Sequence, residues 1–204
     1  GLAEYAAKNY QVSVTGITVS KEQQKLAVER CKGLDVEILL MDYRNLNDRF
    51  DRIASIGMFE HVGLKNYNTY FQVVQRNLNA DGLFLLHTIG SNITRISTDP
   101  WISKYIFPNG YIPSIEKIAH FSSGKFIMED WHNFGTDYDL TLRAWSERFI
   151  QTWPEIEANY SIRFKRMFNY YLNACAGAFR ARELQLWQIV FSPKGIEGEV
   201  RIAR

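Results

Sequence analysis

The sequence predicts an α/β fold built from βαβ units around a parallel sheet. Three observations carry that reading. Up to Gly90, short β-branched or apolar runs alternate with amphipathic stretches of helical length, the pattern of parallel strands joined by crossover helices. Two of those runs, Phe50 to Ile56 and Gly82 to Gly90, hand over to polar residues and a glycine, as buried strands do where they open into a crevice. Finally, 204 residues that are 46% hydrophobic can bury a substantial core in one large domain.

Taken in order, Gly1 to Asn9 reads as a short helix that opens in the middle of an element. Val12 to Val19 alternates and is β-branched, hence a strand. Ser20-Lys21-Glu22-Gln23 is a capping-box pattern that starts a helix running to about Cys31. Strands follow at Asp35 to Met41 and Phe50 to Ile56, then a helix at Leu64 to Leu78. Asn79-Ala80-Asp81-Gly82 is a tight turn into the strand ending at Gly90. From Ser91 the regularity fails, and a lid-like insertion over about 91–121 is expected. It is aromatic and punctuated by Pro100 and Pro108, with a short helix at Ser114 to Phe121; a packed surface loop fits the same residues. A strand at Phe126 to Trp131 and a polar, aromatic loop come next. Tyr138 to Trp153 and Ile156 to about Arg182 read as helices separated by Pro154, with a closing strand at Leu184 to Phe191 and a polar tail.

Composition narrows the function. A net charge of +2 carries no sequence-wide basic signature for nucleic acid. Cys31 and Cys175 lie far apart, without C-x-x-C spacing, and read as reduced thiols of a cytoplasmic protein. No apolar run reaches the roughly 18 residues that span a bilayer, and no signal-peptide pattern opens the chain. His61, His120 and His132 show no metal-ligand spacing, so no metal is expected. Glu60 and His87 are the candidate polar site. They stand at two strand ends, one a carboxylate and one an imidazole. A plain structural reading, in which Glu60 caps the next helix and His87 is a satisfied core histidine, explains the same pattern.

Six stretches together resemble the bacterial cyclopropane-fatty-acyl-phospholipid synthases over nearly the whole chain. They are Gly16-Ile17-Thr18-Val19-Ser20, Gly57-Met58-Phe59-Glu60-His61-Val62-Gly63, Phe84-Leu85-Leu86-His87-Thr88-Ile89-Gly90, Phe107-Pro108-Asn109-Gly110, Asp130-Trp131-His132-Asn133-Phe134-Gly135 and Tyr171-Leu172-Asn173-Ala174-Cys175. The resemblance implies a class I S-adenosylmethionine-dependent methyltransferase (Rossmann-like) fold, mostly parallel with an antiparallel last strand. It also implies the activity: a methylene from S-adenosylmethionine is added across a cis double bond in an acyl chain of a membrane phospholipid. The partner is then an unsaturated phospholipid at the surface of the inner membrane. In that family a further strand and glycine-rich loop precede the residue matching Gly1, in mid-sheet, and a smaller domain precedes them. The chain is therefore expected to be truncated at the N-terminus, to bind the cofactor weakly when isolated, and to expose unpaired strand edges. Such edges invite dimerisation, so a second copy is an expected partner.

Residue by residue, the resemblance implies a cofactor site of Ser13, Val14, Gly16, Ile17, Thr18, Gln23, Asp42, Tyr43 and Arg44. Thr18 and Gln23 match positions that hold ribose hydroxyls; Asp42, Tyr43 and Arg44 match the segment beside adenine. Methyl transfer to an alkene leaves a carbocation, which aromatic faces stabilise without attacking it. Tyr138 matches such a position, and Phe59, Trp101, Tyr105 and Phe134 are further candidates. A bound bicarbonate then removes a proton, cradled by Glu60, His87, the Ile89 backbone and Tyr138. The family has also been assigned a catalytic cysteine matching Cys175. Its helical spacing with Phe164, Phe168, Tyr171 and Ala178 equally describes a small core residue. Lys165, Arg166, Arg180 and Arg182 face either phospholipid headgroups or solvent. Two other functions fit the residues less closely: methylation of a small nitrogen or oxygen nucleophile on the same fold, and a non-catalytic module that binds lipid or a partner.

Overall fold

The computed structural model describes residues 1–198, so residues 199–204 of the polar tail lie outside the described residues. The chain divides into two compact units, Gly1–Asp48 and the part from Arg49 onward, where one domain was expected. In the first unit, helix α1 (Leu2–Tyr10) leads to strand β1 (Val14–Thr18), helix α2 (Lys21–Arg30) and strand β2 (Val36–Leu40). Strands β1 and β2 pair in parallel as a two-stranded sheet, Val14 opposite Val36 and Thr18 opposite Leu40. Ser20 caps α2 by accepting the Gln23 N–H at 3.3 Å, as the capping-box pattern requires. Gly16 leaves room for its neighbour: a Cβ there would stand 2.8 Å from Ile38 Cδ1. Strand β1 is shorter than expected, and Ser13 precedes it.

The second unit runs β3 (Phe50–Ile56), α3 (Tyr67–Asn77), β4 (Leu78–Gly90), α4 (Pro100–Tyr105), α5 (Ile115–Ser122), β5 (Ile127–Asn133), α6 (Gly135–Ile156), α7 (Ile162–Arg180) and β6 (Gln185–Ser192). Its sheet has the order β3-β4-β6-β5, with β3 and β4 parallel and β6 antiparallel to both neighbours. The last strand is thus the one reversed strand of this sheet. β1 and β3 each have a single strand partner among the described residues. The turn Asn79 to Gly82 does not precede β4 but lies inside it as a bulge, because Leu78 already pairs with Phe50 before Leu83 pairs with Arg52.

Aromatic rings dominate the core on one face of this sheet. Phe59 stacks on Tyr67 at 4.0 Å, and Phe84 stacks on Phe191 at 5.7 Å, all four buried. Phe59 is therefore a core ring with no face left for a ligand, which removes it from the carbocation candidates. Gly90 is forced by packing. A Cβ there would lie 2.0 Å from Trp187 Cζ3, so only glycine lets that indole cross the strand end.

Pro154 does not separate the two long helices. Helix α6 starts earlier than expected, at Gly135, and continues through Pro154 to Ile156. The missing N–H falls in the last turn, where little of the helical ladder remains to be broken. The break is set instead by Ser161, whose hydroxyl accepts the Phe164 N–H and begins α7.

Candidate active site

The residues singled out by the sequence are divided between the two units. In the first, the strand-to-helix turn after β1 presents Thr18, whose hydroxyl donates to Gln23 Oε1 at 2.8 Å. Val14, Gly16 and Ile17 form the strand leading to it. Asp42 begins a short 3₁₀ turn, Tyr43–Asn45, and accepts the Arg44 N–H at 2.9 Å. The Arg44 guanidinium grips the same carboxylate at 3.0 and 2.7 Å and holds it below the usual carboxylate range. Tyr43 is half-buried, and burial raises its hydroxyl pKa.

In the second unit, β3 ends at Ile56, and Gly57 turns the chain at φ 60°. That conformation suits glycine and starts the 3₁₀ turn Phe59–His61. The turn anchors Phe59 in the aromatic core and delivers Glu60 to the end of β4. Glu60 Oε1 accepts the Ile89 N–H at 2.7 Å. Its other oxygen, Oε2, is buried with no hydrogen-bond partner among the described residues. Burial raises the Glu60 pKa, opposed first by the Ile89 N–H, while the Thr88 hydroxyl donates to the Ile89 carbonyl at 3.0 Å. The Tyr111 N–H donates to the Glu60 carbonyl at 2.8 Å, which ties the 91–114 segment to the site. The base of that segment is closed by the Ser91–Ser114 bridge.

His87 precedes Ile89 on the same strand, and its backbone carbonyl accepts the Gly57 N–H at 3.0 Å. Across the sheet it stands opposite Gln188, whose Nε2 lies 3.2 Å from His87 Nδ1. With that amide as donor, Nδ1 accepts, and the ring proton sits on Nε2 as a free donor. Burial lowers the His87 pKa and favours the neutral ring. Gln188 is a residue the sequence reading missed. Only the register of β4 against β6 could have singled it out.

Ile89 also packs against the cluster of Leu142, Leu172, Phe179 and Leu186, which gathers Tyr138, Tyr171 and Cys175 around it. Tyr138 meets Phe179 edge-on at 5.0 Å, and its hydroxyl pKa is raised by burial and then by the negative charge of Glu60. Glu60, Ile89 and Tyr138 therefore share one electrostatic neighbourhood, with His87 on the same strand end. The Tyr67 hydroxyl, which no sequence pattern marked, is buried without a partner among the described residues and also feels Glu60. Cys175 is half-buried, and burial pushes its thiol up to about 11, a protonated group at neutral pH. The Phe134 ring lies 3.9 Å from that of His132, tilted by 34°, at the rim of the same cluster. Trp101 and Tyr105 lie on α4 instead, with Trp101 edge-on to Tyr170.

The family model for mycolic acid cyclopropane synthetase matches residues 1–189. The cyclopropane-fatty-acyl-phospholipid synthase of Escherichia coli strain K12 is 69% identical over 204 residues, covering 100% of this chain and 53% of that protein. The chain thus spans about half the length of the full-length curated relatives it matches. The cyclopropane synthase MmaA2 from Mycobacterium tuberculosis superposes with a TM-score of 0.82 at 30% identity, over 91% of this chain and 72% of that one. The mycolic acid cyclopropane synthase CmaA1, solved with SAH and CTAB, gives 0.84 at 28% identity over the same shares. The architecture is accordingly the Rossmann-like fold of S-adenosylmethionine-dependent methyltransferases. With a family match over residues 1–189, the chain belongs to the mycolic acid cyclopropane synthetase family.

Proposed function

We propose that the chain is the catalytic part of an enzyme that moves a methylene from S-adenosylmethionine onto the cis double bond of an unsaturated phospholipid acyl chain, giving a cyclopropane fatty acid. The observation that carries this reading is Glu60, buried with one oxygen on Ile89 N–H and the other without a partner among the described residues. A buried acceptor in that state calls for a ligand that brings an O–H. Bicarbonate fits, having one O–H and several acceptor oxygens; His87, the Ile89 backbone and Tyr138 supply the remaining contacts.

S-adenosylmethionine, when bound, supplies an electrophilic sulfonium methyl. Thr18 and Gln23 fit a ribose diol, since their hydroxyl and amide both donate and accept and here bond to each other. Asp42 fits adenine less directly, because both its oxygens are already held by Arg44. The chain's other residues then set the conditions. The apolar wall of Leu142, Phe179 and Phe134 excludes water from a weak alkene nucleophile. The Tyr138 ring faces the positive charge that develops on the acyl chain. Glu60 accepts the O–H of the anion, and that charge-assisted bond offsets the repulsion between the two negative charges. His87 donates from Nε2. The proton that leaves the new methyl group is acidic enough for a weak base to accept.

No helix among the described residues is long and apolar enough to cross a membrane. On this reading the chain meets its lipid peripherally, at the cytoplasmic face of the inner membrane. The test is incubation of the full-length enzyme with labelled S-adenosylmethionine and unsaturated phospholipid vesicles. A gain of one methylene per acyl chain is the expected result. Methylation without lipid dependence would favour a small nitrogen or oxygen substrate, and vesicle binding without turnover a non-catalytic module.

A further inference from the structure

We propose that the cleft between α4 and the first half of α7 is the surface by which the chain docks on an anionic phospholipid bilayer, with a headgroup phosphate seated at Arg163 and Arg166. The cleft encloses about 800 Å³, with Trp101 and Tyr105 on one side and Arg163, Arg166, Met167 and Tyr170 on the other. The α7 residues recur at helical spacing, so they form one stripe of that helix. Trp101 meets Tyr170 edge-on at 4.6 Å and closes one end.

Charge complementarity names the occupant. No acidic side chain lines the cleft, and neither arginine has an ion-pair or hydrogen-bond partner among the described residues. The other cations considered for headgroups are already engaged. Arg180 is held by Asp139 at 3.0 and 3.2 Å, Arg182 donates to Gln185 at 2.8 Å, and Lys165 lies over the Trp153 ring at 4.9 Å. A second groove of about 400 Å³ shares Arg166 and is walled by Phe149, Ile150 and Ile162. Ile150 is 54% and Ile162 67% exposed. Bare aliphatic groups beside aromatic rings and cations suit the interface of a bilayer, where each finds its own depth. A nucleic acid or an acidic peptide would leave the isoleucines in water.

This inference rests on the lipid reading of the site, but its test reads binding and not turnover. The full-length enzyme is floated with phosphatidylglycerol vesicles, with phosphatidylcholine vesicles, and with phosphatidylglycerol vesicles plus inorganic phosphate at constant ionic strength. Partition onto the anionic vesicles is expected to fall by roughly tenfold or more in the double variant R163Q/R166Q and to fall in W101A. The control K25Q/K32Q removes the same charge elsewhere and is expected to partition as the parent does. Equal partition of R163Q/R166Q and parent would overturn the docking surface, as would release by inorganic phosphate, which would mark a soluble-anion site. Full-length enzyme that loses vesicle binding in R163Q/R166Q yet never yields cyclopropane product would sink the proposed function and leave the surface standing. Product formation with unaltered partition in R163Q/R166Q would do the reverse.

Discussion

Glu60 and Ile89 are joined by a 2.7 Å hydrogen bond that uses only one of the two carboxylate oxygens, although the whole side chain is buried. A carboxylate placed like this is costly to ionise, and burial does raise its pKa. Its Ile89 bond fixes the orientation, and its second oxygen has no hydrogen-bond partner among the described residues.

Replacing Glu60 by Gln in the full-length enzyme keeps the Ile89 bond but puts an NH₂ where the free oxygen stood. We expect turnover to fall by about 10²-fold or more, the range of a positioned proton-holding group. Near-normal product from that variant would remove Glu60 from the chemistry. Stability carries a sign as well. Because the folded pKa is raised, the wild-type contribution is intact below the unfolded value of 4.5 and is lost as pH rises through the folded value. Urea unfolding should therefore show E60Q gaining on the parent as pH rises above 4.5.

Gln188 is expected to act through His87. The buried ring has a lowered pKa, so its neutral form is kept down to more acidic pH, and activity should be lost as pH falls through that value. Gln188→Glu places an opposite charge on Nδ1 and stabilises the imidazolium. The acid limb of the pH–rate profile should then move up by about one unit or more. The other titratable group in the row is His132, opposite Gln188 on β5. An H132N variant separates its contribution, and a Q188E profile identical to the parent's would discard the coupling.

Cys175 should behave as a packing residue. A thiol pushed up to about 11 is almost entirely protonated at pH 8. Alkylation by iodoacetamide should run about 100-fold slower than for an ordinary exposed thiol near 8.5. Mass spectrometry of the Cys175 peptide reads the rate directly. Fast labelling at neutral pH would point to an activated nucleophile.

Gly90→Ala drives a methyl group into the Trp187 ring. The indole is buried and pinned edge-on to Trp131 at 5.0 Å, so it has little room to yield. A loss of about 3 kcal/mol in unfolding free energy is expected, at the upper end for overpacking. Thermal or urea denaturation gives the number.

Much of this protein is written locally. Hydrophobic period and capping chemistry marked nearly every strand and helix, because β-branched alternation in β1 and the Ser20 cap act within a few residues. Glu60 and His87 were legible as polar residues at strand ends for the same reason. The α6–α7 boundary was misread, since Pro154 is a strong local signal but falls where the helix has few bonds left to lose. What only the tertiary structure decided is pairwise. Phe59 became core because Tyr67 stacks on it, and Arg180 was taken up by Asp139 while Arg163 and Arg166 were left to the cleft. His87 found Gln188 because β6 runs antiparallel to β4 in one particular register. Such contacts join residues far apart in the chain, so their energies depend on how the elements dock, which no short window of sequence contains.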